Sequence, residues 1–177
     1  MNSHFIVIVA LVCALCSPVR AAGPGSATPI CALKSLGEES PINMGQFKGK
    51  VVYVDFWASW CAPCARSFPF MNRLHRELAH RGLIILAINL DEKLEDARAF
   101  LAKHPASFAL AADPSGQCPR DFGVRGMPSS YLVDRQGMIR HVHLGFRAGE
   151  AEKLRALVEQ LLAEGAGSAA PAGGSAR

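Results

Sequence analysis

One stretch constrains this chain more than any other. Val51-Val52-Tyr53-Val54-Asp55-Phe56-Trp57 is β-branched or aromatic everywhere except Asp55, and it leads within three residues to Cys61-Ala62-Pro63-Cys64. Half-buried strands alternate apolar and polar residues, so a run apolar almost throughout reads as a strand buried on both faces, as in the parallel sheet of an α/β domain. Beyond the second cysteine the period changes. Phe68, Met71, Leu74, His75 and Leu78 recur at three- and four-residue steps, which predicts a helix from Cys61 to about Arg81, kinked at Pro69 and closed by Gly82. Residues 83–88 (LIILAI) read as the next buried strand, completing a βαβ unit.

The remaining elements are shorter. A first strand is expected within 30–36, then loop over 37–50. A second helix is expected over 92–103, ended by Pro105, then a strand over 108–112 and a turn at Asp113-Pro114-Ser115-Gly116. Residues 130–133 and 138–144, joined by Asp134-Arg135-Gln136-Gly137, predict an antiparallel hairpin. A last helix over 150–163 places Ala151, Leu154, Leu157, Val158, Leu161 and Leu162 on one face. The order is βαβ, an inserted helix, then ββα, which a central mixed sheet flanked by helices on both faces accommodates.

The two ends read differently. Residues 5–15 (FIVIVALVCAL) have the length of a signal-peptide core and fall short of the roughly 20 residues of a membrane span. A small-residue cleavage pattern follows at Val19-Arg20-Ala21, so 1–22 is expected to be a signal peptide or, uncleaved, an anchor; the stretch before the core lacks Lys and Arg. Lipoprotein processing at Cys13 or Cys16 is disfavoured, because Leu11-Val12 and Ala14-Leu15 lack the small residue it prefers. Residues 23–29 read as a Gly/Pro/Ser/Thr-rich linker, 30–164 as one domain, and 165–177 (GAGSAAPAGGSAR) as a disordered tail. About 140 residues remain for one core. The net charge of +4 includes no basic block, so nothing points to nucleic acid.

Six cysteines are present. Cys13 and Cys16 belong to the leader, which leaves Cys31, Cys61, Cys64 and Cys118 in a chain bound for a disulfide-permitting compartment. Thiols two residues apart at a helix start are chemically unequal. Unpaired N–H groups and the positive helix end favour the thiolate of the first, Cys61, which is the attacking species. Cys64, a turn further in, stays protonated until it resolves the mixed disulfide. The competing reading of a lone CxxC is half a zinc site, but no second close cysteine pair remains, and His141 and His143 fall in a predicted strand, where a polar face is the simpler reading. No metal is expected. Cys31 and Cys118 could form a structural disulfide, stay free, or relay electrons; sequence leaves this open.

Residues 54–64 (VDFWASWCAPC), with Gly126-Met127-Pro128 before a strand and Asp134-Arg135-Gln136-Gly137 after it, resemble the active-site segment, cis-proline loop and hairpin of thioredoxin-fold proteins. The leader and the insertion between Asn89 and Cys118 narrow the resemblance to the TlpA/ResA-like periplasmic thiol–disulfide oxidoreductases, over about residues 29–162. The resemblance implies a thioredoxin-like fold and catalytic roles for Cys61, Cys64, Asp55 and Pro128. Asp55 matches the buried acid that takes the proton of the resolving cysteine. Pro128 matches the proline that is cis in the family, and keeps the backbone of Met127 free to pair with an extended substrate. Trp60 matches the tryptophan shaping the docking surface. One position departs: many relatives carry Glu three residues after the second cysteine, whereas this chain has Ser67. The resemblance further implies a reductant of disulfides in exported proteins, such as apocytochrome c cysteines or copper-site thiols, that needs no cofactor beyond its Cys61–Cys64 disulfide. It would be a monomer served by a membrane donor of the DsbD/CcdA type. Two alternatives stay open, a disulfide-donating oxidase and a thioredoxin-fold copper chaperone. Ala62-Pro63 lacks the histidine of strong oxidants, and CxxC is not the CxxxC of the copper carriers.

Overall fold

The strand that dominates the sequence is also the centre of the structure, a computed structural model that describes residues 21–37 and 40–164. The leader over 1–20 and the tail over 165–177 lie outside the described residues. All seven residues of β3 (Val51–Trp57) are buried. It pairs in parallel with β4 (Leu83–Asn89) and antiparallel with β6 (Ser129–Val133). β5 (Ala109–Ala112) continues the parallel run beside β4, and β7 (Ile139–Leu144) closes one edge against β6. At the other edge β1 (Leu33–Ser35) pairs antiparallel with both β5 and β2 (Pro41–Ile42). The mixed sheet has seven strands in the order β2-β1-β5-β4-β3-β6-β7.

Alternation along β3 sorts the core into two layers. Val51, Tyr53 and Trp57 face a cluster built from α1 (Ala62–Leu78), α2 (Leu94–Lys103) and α4 (Glu150–Glu164). Val52, Val54 and Phe56 face the opposite cluster, which includes Cys118 and Phe122 of α3 (Gln117–Phe122). Helices therefore cover both faces. At roughly 1.5–3 kcal/mol for each fully buried large apolar side chain, these layers hold the sheet together. On the first face Phe68 stacks edge-on against Trp57 and Phe100 at centroid distances of 5.0 and 5.1 Å, which seats α1 on the end of β3.

Several boundaries differ from the sequence expectation. The first helix begins one residue later, with Cys61 as its N-cap, and runs through Pro69 to Leu78. Its expected last turn, Ala79–Arg81, is a 3-10 turn closed by Gly82 at φ 96°. The second helix starts at Leu94 rather than at residue 92. The first strand is only Leu33–Ser35, because just these three residues find pairing partners. The expected loop over 37–50 contains β2 and a 3-10 turn (Met44–Phe47) capped by the Asn43 side chain. The segment read as a linker is bonded along the β6–β7 hairpin: the Gly25 N–H donates to the Ile139 carbonyl at 2.8 Å and the Thr28 N–H to that of Gly137 at 2.9 Å.

Candidate active site

Cys61 holds an extended conformation (φ −84°, ψ 94°) that turns its side chain back over the helix it caps. Its Sγ accepts the backbone N–H of Cys64 at 3.2 Å, as a Ser or Asp oxygen does at other helix starts. Pro63 at the second helical position removes an N–H that would have had no partner. The first turn carries no acidic residue, so no carboxylate competes for the positive end of the helix. A thiolate at Cys61 would thus be held by a donor and a dipole in the reduced protein. In this structure Cys61 and Cys64 are bonded, S–S 2.01 Å.

Cys64 is wholly buried and Cys61 is 4% exposed. Cys61 nevertheless lines an open groove with Trp60, Ala65 and Phe100, and Trp60 stands 72% exposed beside it. Met127, which packs against the cluster that contains Cys61 and Cys64, and Pro128 border a second open groove with Arg125, Leu144 and Arg147. The Met127–Pro128 peptide bond is cis.

Asp55 lies in the middle of β3, and alternation puts it on the face shared by Tyr53, Trp57 and the Cys64 helix. It is fully buried, and its carboxyl is pushed up to about 7 by loss of solvent, while a hydrogen bond from Ser130 pulls the other way. Ser130 donates to Asp55 Oδ1 at 2.6 Å, and the Tyr53 hydroxyl donates to Ser130 at 3.0 Å. The second oxygen, Oδ2, is buried without a partner. An acid that titrates near neutrality on the same layer as the buried Cys64 has the pKa of a group able to accept and return a proton. Ser67, where many relatives carry Glu, donates to the Cys64 carbonyl at 3.0 Å and brings no second acid.

The sequence reading missed the brace that sets the turn before Cys61. The Asp91 carboxylate accepts the Ser59 N–H at 2.9 Å, the Ser59 hydroxyl at 2.9 Å and the Asn89 amide at 2.7 Å. A visible signal was Asn89-Leu90-Asp91 at the carboxyl end of a parallel strand, where α/β sheets place their ligand-facing loops. Ser130 and Tyr53 were missed too, since a small hydroxyl in an apolar strand has no periodic signature.

Away from this site, Cys31 and Cys118 are joined, both nearly inaccessible on the opposite layer. The bond closes a loop of 87 residues, which in the chain-entropy picture contributes about 4.6 kcal/mol. Replacing both cysteines with alanine should lower unfolding stability by roughly that amount, read by urea titration, and leave exchange at Cys61 unchanged. His143 lies 3.3 Å from a Glu150 oxygen, and among the described residues no group of three His, Cys, Asp or Glu converges as a metal site.

The sheet, the capping cysteine pair and the cis-proline loop define a protein of the thioredoxin-like class. Residues 23–158 match the Redoxin family, and the chain belongs to it. It is 33% identical over 102 residues to the thiol-disulfide oxidoreductase ResA of Bacillus thuringiensis, covering 58% of this chain and 59% of that one. To the thioredoxin-like protein YneN of Bacillus subtilis it is 36% identical over 125 residues, 68% of this chain and 71% of that one. A crystal structure from Chlorobium tepidum assigned to the thiol:disulfide interchange protein DsbE superposes with a TM-score of 0.77 at 42% identity, covering 80% of this chain and 99% of that one. Among the described residues no helix is long and apolar enough to cross a membrane.

Proposed function

We propose that the chain is a thiol–disulfide oxidoreductase that reduces disulfides in exported proteins, in the periplasm. The observation that carries this is the capping position of Cys61, which makes one sulfur nucleophilic while Cys64 waits a turn away. In the reaction, the Cys61 thiolate attacks a substrate disulfide and releases one substrate thiol. Cys64 gives its proton to Asp55, attacks the Cys61 sulfur and frees the second substrate sulfur. The pair ends oxidised and the substrate reduced by two electrons. An extended substrate would pair with the Met127 backbone beside Pro128, with Trp60 on its far side. The ResA, YneN and DsbE relatives support the exchange chemistry. Cysteines of apocytochrome c or of a copper site are substrates that suit it. Recharging in an oxidising compartment needs a donor of the DsbD/CcdA type in the membrane, and the 1–22 segment supplies export or a tether.

The test is equilibration with glutathione. We expect a potential near thioredoxin's roughly −270 mV and far from the roughly −120 mV of DsbA-type oxidants. A value above about −150 mV would reverse the direction proposed here. Cys64→Ala should then accumulate mixed disulfides on Cys61 whose partners identify the substrates.

A further inference from the structure

We propose that Ser130, with Tyr53 behind it, is a positioning residue that occupies one oxygen of the Asp55 carboxyl and reserves the other for the proton of Cys64. This rests on the exchange chemistry proposed above and assigns it a part that neither cysteine supplies. Each hydroxyl has a single hydrogen. The Tyr53 hydrogen goes to Ser130 at 3.0 Å, and the Ser130 hydrogen goes to Asp55 Oδ1 at 2.6 Å. The chain therefore runs one way and ends on the carboxyl. Oδ1 is taken, and Oδ2, buried and unpartnered, is the oxygen left to accept. All three residues face the layer that contains Cys64. In the step served, the Cys64 S–H bond breaks and its proton moves to Oδ2. The new S–S bond forms to Cys61, the Cys61–substrate S–S bond breaks, and the substrate sulfur leaves with the electron pair.

Ser130 also ties this chemistry to docking. It sits two residues past Pro128 on β6, directly across from Asp55 in register. The strand that begins at the cis-proline loop is the same strand that supplies the hydroxyl. Around Asp55, β3 supplies Tyr53, and α1 supplies Cys61 and Cys64, with His75 about three turns along. The remaining charged residues of α1, Arg66, Arg73, Arg76 and Glu77, are exposed. β4 supplies none, and Tyr131 of β6 faces the opposite layer. On β7, His143 lies across from Ser130 and is held by Glu150 of α4, His141 lies across from Leu132, and Arg140 is paired with Asp134 and Glu164. No charged neighbour contributes to the upward displacement of Asp55, so the Ser130 donor is the main influence opposing burial.

The test follows the release of a preformed Cys61 mixed disulfide by Cys64 as a function of pH in the full chain. Ser130→Ala should move the inflection of the release rate up by about one pH unit, because losing a donor to the ionised carboxyl disfavours that form. Release at pH 7 should fall about fivefold, since the ionised fraction drops from about one half to about one eleventh. Ser130→Thr should restore the inflection, and Tyr53→Phe should move it the same way by less. Alkylation of Cys61 should not change. In an Asp55→Asn background, Ser130→Ala should add nothing. An unmoved inflection in folded, active Ser130→Ala, or effects that simply add to Asp55→Asn, would overturn the proposal alone. A wild-type protein that exchanges no disulfide would sink the parent function and this part together.

Discussion

Cys61→Ser should reduce disulfide exchange to the uncatalysed rate, whereas Cys64→Ala should still capture a substrate and then stall. The difference follows from geometry. Only Cys61 has a sulfur at the helix cap, where the Cys64 N–H reaches it at 3.2 Å and the first turn holds no acid. A free thiol titrates near 8.5 and is mostly protonated at pH 7, and a capping donor with a favourable dipole raises its thiolate population there. In the reduced wild-type protein, iodoacetamide at pH 7 should therefore label Cys61 rapidly and leave buried Cys64 unmodified. Mass spectrometry of the labelled peptide separates the two. Equal labelling would remove the asymmetry on which the mechanism stands.

Asp55→Asn carries the second large effect, and it has two signs. Activity should fall about a hundredfold at neutral pH, the scale of losing a positioned general base. Stability should rise. The Asp55 carboxyl ordinarily titrates at 3.8 and is held at about 7 in the fold. Between these values the folded state binds a proton that the unfolded state has released, so unfolding stability falls as pH climbs through that window. Above about pH 7 the whole cost is present, about 4 kcal/mol at roughly 1.4 kcal/mol per pH unit. Asparagine bears no such cost. The variant should be more stable than wild type at pH 8 and approach it near pH 4, as urea unfolding of the oxidised protein would show. A destabilising acid at the centre of the sheet is what a site that trades stability for activity leaves behind.

The central half of the fold was legible because its signals are local. The composition of β3, the period of α1 and the CxxC between them each depend on a few adjacent residues, and all three lie where the sequence placed them. Asp55 and Pro128 were readable as candidates through the family resemblance that the short motifs around them carry. What escaped depends on partners far along the chain. α3 has only six residues, too few for a helical period to declare itself, and its start is held by the Asp113 carboxylate on the Cys118 N–H at 2.8 Å. β2 exists because two residues meet β1. Asp91 matters through Ser59, 32 positions away, and Ser130 through Asp55, 75 positions away. The pairing of Cys31 with Cys118 belongs to the same class, since only the folded sheet brings their backbones to a Cα distance of 5.2 Å.

The two disulfides occupy opposite layers, Cys61–Cys64 in the cluster beneath α1 and Cys31–Cys118 in the cluster behind the sheet. The central strands stand between them as a partition several residues wide, with no cysteine in β3, β4 or β6 to act as a stepping stone. The domain is thus wired as two separate circuits. One can be charged and discharged with every turnover, and the other keeps the frame closed while that happens.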